Sequence, residues 1–287
     1  MAAKTILITG ASGGFGRMAV PLLLGRGHTV IAALRGGEER MHGVFGDEHI
    51  GTGRLHALDL HMERPESFEA VHQVIRREHG GRLDVLVNNA GYGLLGPADE
   101  IAERDLREQM EVNFFGPVLL IQALLPALRE ARGRILNVSS VLGLVAFPFY
   151  GPYAASKFAL EGYTEALRYD LQPAGVQVGL IEPGGFKTDF VKTATTAAIT
   201  VPLPASSPNA ERVERFNAFL QGPGNKAGGN PMRVARLIAK LCDRRTVPPR
   251  SIIGTDAWFM GLLRRLLPHR LRAWLVGLGF RKVVFRD

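Results

Sequence analysis

The chain contains a single cysteine, Cys242, among its 287 residues. That count excludes an internal disulfide framework and is typical of a reducing compartment, so we expect a cytoplasmic protein. Cys242 lies in the helical pattern Leu-Ile-Ala-Lys-Leu-Cys-Asp. This pattern favours a buried structural thiol over a nucleophile.

Long apolar runs and metal-ligand spacings are also missing. No uninterrupted apolar stretch reaches the roughly 18 residues of a membrane span. The first strand pattern starts at Lys4, so we expect no signal peptide. The histidines are scattered along the chain, and we therefore predict no metal site.

Positive charge is in excess, but the excess is regional. The formal net charge is +8, and many of the basic residues follow residue 230. Such an imbalance supports nucleic-acid binding only weakly. We predict a small-molecule ligand and no nucleic-acid partner.

Strand patterns alternate with helix patterns through most of the chain. Helices are predicted over Ser67–Glu78, Glu103–Leu128 and Tyr153–Leu171. This alternation predicts an α/β fold with one doubly wound parallel sheet and helices on both faces. We expect one domain over residues 1–287. The strand patterns cover residues 4–9, 28–35, 54–60, 83–88, 134–140 and 176–182.

A glycine-rich segment, Thr9–Gly16, separates the first strand from the following helix pattern. Glycines at this position let the backbone turn tightly and approach a pyrophosphate at the helix N-terminus. The spacing T-G-x-x-x-G-x-G differs from the G-x-G-x-x-G of the standard dinucleotide fingerprint. The context of strand, turn and helix nevertheless indicates a dinucleotide site.

The ends of the second and third strands indicate which dinucleotide is preferred. NAD-binding chains end the second strand with a carboxylate, whereas this strand ends at Arg35. A guanidinium can hold a 2′-phosphate, so NADP(H) is favoured over NAD(H), unless Arg35 is only a solvated strand end. Asp59 ends the third strand, where it could cap an adenine amino group or start a turn.

Two asparagine motifs place amides among apolar residues. Asn89 follows the fourth strand, in the crevice where open α/β sheets bind ligands. Asn113 lies within a long apolar helix pattern. Burying an amide costs about 1–3 kcal/mol unless it is hydrogen-bonded, so we expect Asn113 to have a structural or water-anchoring role.

Tyr153 and Lys157 are four residues apart, without a helix breaker between them. On a helix they lie on one face, one turn apart. A free phenol has a pKa of about 10, and a neighbouring ammonium lowers it towards neutrality. The pair could therefore move a proton to a carbonyl or from an alcohol. Alone, this spacing would more often be an ordinary amphipathic helix.

Taken in order, these motifs resemble the short-chain dehydrogenase/reductase family over roughly residues 4–190. The phrase Tyr-Ala-Ala-Ser-Lys-Phe-Ala-Leu-Glu-Gly favours its retinol- and hydroxysteroid-dehydrogenase-like members. The resemblance implies a Rossmann-type fold, a nicotinamide cofactor, and hydride transfer between an alcohol and a carbonyl. The matching segments are Thr9–Gly16, Asp59-Leu60, Asn88–Gly91, Asn113, Ser139-Ser140, Tyr153-x-x-x-Lys157 and Pro183–Thr188.

The resemblance also implies roles for individual residues. Tyr153 would be the general acid/base, Lys157 would lower its pKa and bind the ribose, Ser140 would polarise the substrate oxygen, and Asn113 would anchor a water. Ser139 would bond the backbone, although a shift in register could exchange the two serines. The implied cofactor-binding residues are Gly10, Ser12, Gly14, Phe15, Gly16, Arg35, Asp59, Leu60, Asn89, Ala90, Gly91, Tyr153, Lys157, Pro183, Gly184, Phe186 and Thr188.

The segment 189–230 is rich in Ala, Thr, Pro and Gly, and we interpret it as a substrate lid with a helix near Glu211–Leu220. Phe147, Phe149, Tyr150 and Phe190 suggest a pocket for an apolar carbonyl or alcohol, although such aromatics could equally belong to the core. A homodimer or homotetramer is expected from the family. Two alternatives on the same scaffold are a nucleotide-binding regulator and a non-redox epimerase or dehydratase.

The C-terminal extension, residues 254–287, mixes Leu and Trp with Arg. Such a segment could lie on an anionic membrane surface. It could also pack on its own domain or on a partner subunit, with arginine stems covering apolar surface. We favour packing.

Overall fold

The structure is a computed structural model that describes residues 2–188, 203, 206–224 and 228–284. Its centre is one sheet of seven parallel strands in the order β3-β2-β1-β4-β5-β6-β7. The strands are β1 (Thr5–Thr9), β2 (Thr29–Leu34), β3 (Leu55–Asp59), β4 (Val85–Asn88), β5 (Arg134–Val138), β6 (Gln177–Pro183) and β7 (Arg250–Ile253).

Helices connect the strands on both faces of the sheet, as the alternating patterns predicted. The fold is therefore Rossmann-like. The helices are α1 (Gly14–Gly25), α2 (Gly37–Val44), α3 (Asp47–Ile50), α4 (Glu66–Glu78), α5 (Glu103–Met110), α6 (Gly116–Ala131), α7 (Gly151–Leu171), α8 (Ala210–Phe219), α9 (Met232–Asp243), α10 (Thr255–Leu266) and α11 (His269–Val284). Short 3-10 turns cover Val141–Gly143 and Gln172–Ala174, and π-helical segments cover Glu111–Phe115 and Leu220–Gly224.

Alternate residues along a strand pack into two apolar layers, one on each face of the sheet. In β1, Ile6 and Ile8 pack in the layer that contains α1 and α9, whereas Leu7 packs in the layer of α4, α6 and α7. All three side chains are fully buried. Strands covered on both faces need apolar residues at nearly every position, which explains why these strands appear as continuous apolar runs in the sequence.

The long helix predicted over Glu103–Leu128 is interrupted. The α-helical pattern stops at Met110, continues as a π-helical turn over Glu111–Phe115, and resumes at Gly116. A π-turn inserts one extra residue into a helix and is frequent at functional sites. Here it contains Asn113, whose side chain is 1% exposed.

The segment Glu103–Ala131 is long and apolar enough to cross a membrane by length and composition alone. Half of its most apolar window is buried inside the structure. Residues such as Leu120, Ile121 and Leu124 are fully buried against the sheet. Its apolar character is therefore that of a core helix.

Strand β7 was missed in the sequence analysis, and a buried ion cluster joins it to the sheet. Arg250 donates 2.5 Å hydrogen bonds to Glu161 on α7 and Glu182 on β6. The Glu182 side chain is fully buried and that of Glu161 is 6% exposed. Burial, and then the neighbouring Glu161 carboxylate, raise the pKa of Glu182 to about 7, against the opposing effect of Arg250. Arg250 thus stabilises two carboxylates that would otherwise be buried without a counter-charge.

We expect Arg250→Met to lower the free energy of unfolding at about pH 8 by about 3 kcal/mol, because it leaves two buried carboxylates without a partner. The loss should shrink at about pH 5.5, since the carboxyl groups then take up protons. Urea unfolding at both pH values measures this. Arg107→Met is the matched control, because its pair with Glu103 is about three-quarters exposed and should contribute under about 0.5 kcal/mol. A loss below about 1 kcal/mol at pH 8 would contradict the role given to Arg250.

Candidate active site

A cleft of about 650 Å³ runs along the carboxyl ends of the central strands. It crosses the sheet where β1 lies beside β4, so consecutive connections leave in opposite directions. Open α/β sheets bind their ligands at this switch point. Of the residues predicted from sequence, those that line the cleft are Gly10, Ser12, Gly14, Phe15, Arg35, Leu60, Asn89, Ala90, Gly91, Ser140, Phe147, Tyr150, Tyr153, Lys157, Pro183, Gly184, Phe186 and Thr188.

Three predicted residues lie outside this lining, and one lies outside the described part of the chain. Gly16, Asp59 and Asn113 are not among the residues that line the cleft. Phe190 lies outside the described residues, as do residues 189–202, 204–205 and 225–227 of the predicted lid over residues 189–230. The helix predicted near Glu211–Leu220 is present as α8.

The glycine-rich turn leaves open space where a phosphate could lie. Gly10 has a φ of +64°, and a Cβ there would come within 2.8 Å of the Ala90 Cα. Only glycine fits such a position without strain. Asn89 holds the turn from behind, because its Nδ2 donates to the carbonyls of Thr9 and Gly10 at 2.9 and 3.2 Å. Thr9 was not singled out in the sequence, yet its Oγ1 accepts from the backbone N–H groups of Asn89 and Ala90.

The end of the cleft beside β2, where the adenosine of a dinucleotide would lie, is basic. Arg35 and Arg40 both line it and no carboxylate ends β2. The Asp59 carboxylate accepts a 2.8 Å hydrogen bond from the backbone N–H of Gly36. Asp59 therefore fixes the turn after Arg35, a role that the sequence did not indicate, and its contact with an adenine amino group stays a prediction. Arg40 was missed because it lies on α2, outside any strand-end motif.

Tyr153, Lys157 and Ser140 meet at the inner end of the cleft. Lys157 Nζ lies 5.7 Å from the centroid of the Tyr153 ring, and it donates to the Val138 carbonyl at 2.9 Å. The Ser140 side chain is hydrogen-bonded to that of Tyr153. Ser140, rather than Ser139, is therefore the serine beside the phenol. All three side chains are at most 8% exposed.

Burial dominates the proton affinities of this cluster. It raises the pKa of Tyr153 well above its ordinary value, and the Ser140 hydrogen bond opposes this only in part. Burial lowers the pKa of Lys157 to about 8, with the Glu161 carboxylate acting in the opposite direction. The pKa of Tyr153 therefore lies above its ordinary value, contrary to the lowering by Lys157 that the motif implied, and the phenol is a neutral proton donor.

The buried side chain of Asn113 holds in place the loop around Tyr92, which crosses the cleft. Its Oδ1 accepts from the Tyr92 backbone N–H at 3.1 Å, and its Nδ2 donates to the Tyr92 carbonyl at 2.9 Å and to Ser156 Oγ at 3.1 Å. Gln109, one helical turn earlier, also donates to the Tyr92 carbonyl, at 3.0 Å. Gln109 is fully buried and was missed, because its partner is a backbone group that no side-chain motif reveals. The water-anchoring role of Asn113 stays a prediction.

The loop after β6 closes the cleft from the other side. Phe186 packs edge-on against Phe15, with ring centroids 5.9 Å apart. Asp256, in the first turn of α10, accepts a 2.6 Å hydrogen bond from the Gly185 backbone N–H and also lines the cleft. Sequence reasoning assigned this residue to a separate extension. The structure makes the start of that extension part of the site wall.

The end of the cleft beyond Tyr153 is apolar. Phe147 and Tyr150 line the cleft, whereas Phe149 packs inward on Phe216 with centroids 5.1 Å apart. Phe149 has a φ of +65°, a strained conformation for a bulky residue. The aromatic segment is thus divided between pocket and core. Burial raises the pKa of Tyr150 to about 12, so it stays neutral.

This site fits a nicotinamide dinucleotide. Gly91 lines the cleft, and a Cβ there would come within 3.1 Å of Asn113 Oδ1 and 3.6 Å of Lys157 Nζ, so a larger residue would crowd the side chains beside the cofactor path. Gly13 and Gly14 face open space. No group of three or more His, Cys, Asp or Glu residues in the described ranges could hold a metal ion.

Comparison with known proteins agrees with this geometry. The family model for short chain dehydrogenases matches residues 4–198. A 3-ketodihydrosphingosine reductase from Bacteroides thetaiotaomicron is 35% identical over 278 residues, which cover 96% of this chain and 94% of the relative. Retinol dehydrogenase 5 of Mus musculus is 35% identical over 241 residues, which cover 83% and 72%. The chain therefore belongs to the short-chain dehydrogenase/reductase family, as its motifs indicated.

Solved structures show the same fold. A short-chain dehydrogenase from Streptomyces avermitilis superposes with a TM-score of 0.77 at 33% identity, over 99% of this chain and 97% of that chain. A short-chain dehydrogenase from Burkholderia cenocepacia, in complex with NADP, has a TM-score of 0.67 at 26% identity, over 95% and 97%. The protein is thus similar to enzymes of this family, one of which has NADP bound.

Replacing Lys157 with Met should change how stability depends on pH. The folded pKa of Lys157 is about 8 and its ordinary value is 10.5, so between these values the unfolded chain binds more protons than the folded one. The wild-type free energy of unfolding should therefore gain a contribution that grows as the pH rises through this range. The Lys157→Met variant should lack it.

Urea unfolding of the ligand-free proteins at about pH 7.5 and 9.5 measures the difference. Lys240→Met, at an exposed position on α9, is the control and should show no pH-dependent difference from wild type. If the difference between wild type and Lys157→Met is equal at both pH values, Lys157 does not have a depressed pKa.

Proposed function

We propose that this protein is an NADP(H)-dependent oxidoreductase that interconverts a carbonyl and an alcohol on an apolar substrate. The observation that carries the proposal is the buried cluster of Tyr153, Ser140 and Lys157 at the inner end of a dinucleotide-sized cleft. Membership of an oxidoreductase family gives this cluster its chemical context.

Each residue of the cluster has one task in this proposal. Bound in the cleft, NADPH would supply the hydride for the carbonyl carbon. Tyr153 donates its phenolic proton to the carbonyl oxygen, and Ser140 hydrogen-bonds that oxygen while charge develops on it. Lys157, held by the Val138 carbonyl, keeps a cationic group near the phenolate that remains. The hydride and the proton together convert C=O to CH–OH.

The raised pKa of Tyr153 fits the reduction step, which needs a protonated phenol, whereas the cofactor and the substrate set the overall equilibrium. A phenol whose pKa is raised by burial is protonated throughout the physiological range and can donate at once. Oxidation would first require Tyr153 to lose its proton. Lys157 would have to make this loss easier by stabilising the phenolate. The ammonium of Lys157, with a pKa of about 8, is charged at neutral pH and close enough to do so.

The basic end of the cleft supports NADP(H) over NAD(H). Arg35 and Arg40 border it, and guanidinium groups bind phosphates through paired, charge-assisted hydrogen bonds. The NADP complex of the relative from Burkholderia cenocepacia agrees with this preference.

The apolar end supports an apolar substrate. Besides Phe147 and Tyr150, the cluster around it contains Leu95, Val141, Leu142, Val213, Phe216 and Leu220. Two relatives are named for a keto-sphingoid and for retinol, both of which carry long apolar groups.

A cytoplasmic location and assembly into a homodimer or homotetramer also remain proposals. Exposed Leu106 and Phe115 on the α5–α6 segment offer apolar surface for a two-fold contact.

Tyr153→Phe should lower kcat by at least about 10²- to 10⁴-fold, because the variant has no proton to donate. Binding of NADPH, measured by calorimetry, should change by less than about threefold, since the ring is retained. Tyr163→Phe on the same helix is the control, because Tyr163 packs on Phe114 away from the cleft. Turnover retained by Tyr153→Phe would refute the acid/base role.

Arg35→Gln and Arg40→Gln should each weaken NADPH binding by about 10- to 100-fold and leave NADH binding nearly unchanged, because only NADPH carries a 2′-phosphate. Calorimetric titration with both cofactors tests this, with the exposed Arg82→Gln as control. Equal losses for NADPH and NADH would show that the arginines do not read the phosphate.

A further inference from the structure

Helices α10 and α11 form a hairpin that exposes an unusual amount of apolar surface. Of the twelve large hydrophobic side chains exposed in the described part of the chain, seven lie in this hairpin. Trp258 is 62% exposed, Leu266 66% and Trp274 59%. Soluble surfaces rarely expose apolar side chains in such a contiguous group, so this surface calls for a partner.

The exposed residues follow helical spacing. Trp258, Leu262 and Leu266 are four residues apart on α10, and Leu271, Trp274 and Leu278 occupy i, i+3 and i+7 on α11. Each set forms one stripe along its helix. We call these two stripes, together with the exposed arginines beside them (Arg265, Arg270 and Arg281), the hairpin outer face.

The inner side of the hairpin packs on the apolar end of the cleft. Phe280 lies 5.2 Å from Phe147 and 6.4 Å from Phe219, measured between ring centroids. Ala257 is fully buried in the same apolar cluster. The favoured packing of the extension on its own domain is therefore present, but it uses only one side. The other side, the hairpin outer face, is left without a partner within the described residues.

Charge identifies the kind of partner. The described part of the hairpin carries five arginines and one acidic residue, Asp256, and Asp256 is already bonded to the Gly185 N–H. A second copy that packs through the same face would bring this arginine-rich surface against itself, with no carboxylate on the described part of either hairpin except the already bonded Asp256. An anionic lipid surface supplies negative charge at the level of the arginines and hydrocarbon at the level of Leu and Trp.

We propose that the hairpin outer face docks on the surface of an anionic lipid bilayer. Trp258 and Trp274 insert at the headgroup level, where indole rings are favoured, while the arginines contact lipid phosphates and carboxylates. Docking places the apolar end of the cleft beside the bilayer, because Phe280 joins the hairpin to Phe147. The consequence for substrate access rests on the proposed function, whereas the docking itself does not.

The two tryptophans make the test direct. The chain contains two tryptophans, and both lie on the hairpin outer face. Fluorescence of the full-length protein, excited at a wavelength that tyrosine does not absorb, therefore reports only on this surface. Vesicles of phosphatidylcholine with about 30% phosphatidylserine should shift the emission to shorter wavelength and sediment the protein, and binding should weaken by at least about tenfold when NaCl rises from about 0.1 to 0.5 M. Vesicles of phosphatidylcholine alone should bind at least about tenfold more weakly.

Two double variants separate the apolar and charged contributions. Leu266→Gln with Leu271→Gln retains both fluorophores and should weaken binding to the mixed vesicles by at least about tenfold. Arg265→Gln with Arg270→Gln should do so by about tenfold and reduce the salt dependence. The controls are Tyr169→Gln, 66% exposed on α7, and Arg104→Gln, 88% exposed on α5; both should bind within about twofold of wild type. Unchanged thermal unfolding midpoints confirm that the variants are folded.

Three results would overturn the proposal. The first is the absence of an emission shift and of sedimentation with the mixed vesicles, and the second is equal binding to both vesicle types. The third is a wild-type protein that does not bind vesicles, together with a Leu266→Gln, Leu271→Gln variant whose oligomer mass is lower than that of wild type. That combination would assign the hairpin outer face to a second copy. Vesicle binding by Tyr153→Phe should equal that of wild type, so failure of the proposed chemistry does not affect this test.

Discussion

The hydrogen bond from Lys157 Nζ to the Val138 carbonyl, 2.9 Å long, is the interaction on which the site depends. It anchors one turn of α7 to the end of β5 and so sets where Tyr153, one turn earlier, meets Ser140. Burying an ammonium is costly, and burial lowers its pKa to about 8. The protein tolerates this cost because the carbonyl and the nearby Glu161 carboxylate stabilise the charged form. The surrounding sheet must therefore hold this cluster in place.

The parallel sheet supplies that support. Every strand ends at the same edge, so short loops from distant parts of the sequence converge there, and a side-chain hydrogen bond secures each of three such loops. Asn89 secures the glycine turn, Asn113 secures the loop at Tyr92, and Asp256 secures the loop at Gly185. The last contact also joins the site to the C-terminal hairpin, whose inner side covers the apolar pocket. The residues of the proposed chemistry, of the proposed substrate pocket and of the proposed lipid contact are therefore joined in one connected structure.

Local patterns were enough to predict six strands, the glycine turn and the Tyr153–Lys157 spacing, because each depends on residues close in sequence. Features that depend on distant partners were not predictable. Strand β7 is four residues long at the sheet edge with an exposed alternate face, so it lacks the continuous apolar run of its neighbours. The π-turn at Asn113 has no compositional signal, since it changes only which carbonyl each N–H meets. The direction of the Tyr153 pKa shift required knowledge of burial, which spacing alone does not provide.

The most direct test of the account is the transfer of a labelled hydride. NADPH carrying two deuterium atoms at the reactive nicotinamide carbon should be mixed in stoichiometric amount with the enzyme and a panel of carbonyl compounds, from small aldehydes to long-chain ketones and retinal. Mass spectrometry of the products then locates the label. The account predicts deuterium on the carbinol carbon of at least one apolar product. Tight NADPH binding with no label transferred to any compound would contradict it and would favour a nucleotide-binding regulator or a non-redox enzyme on this scaffold.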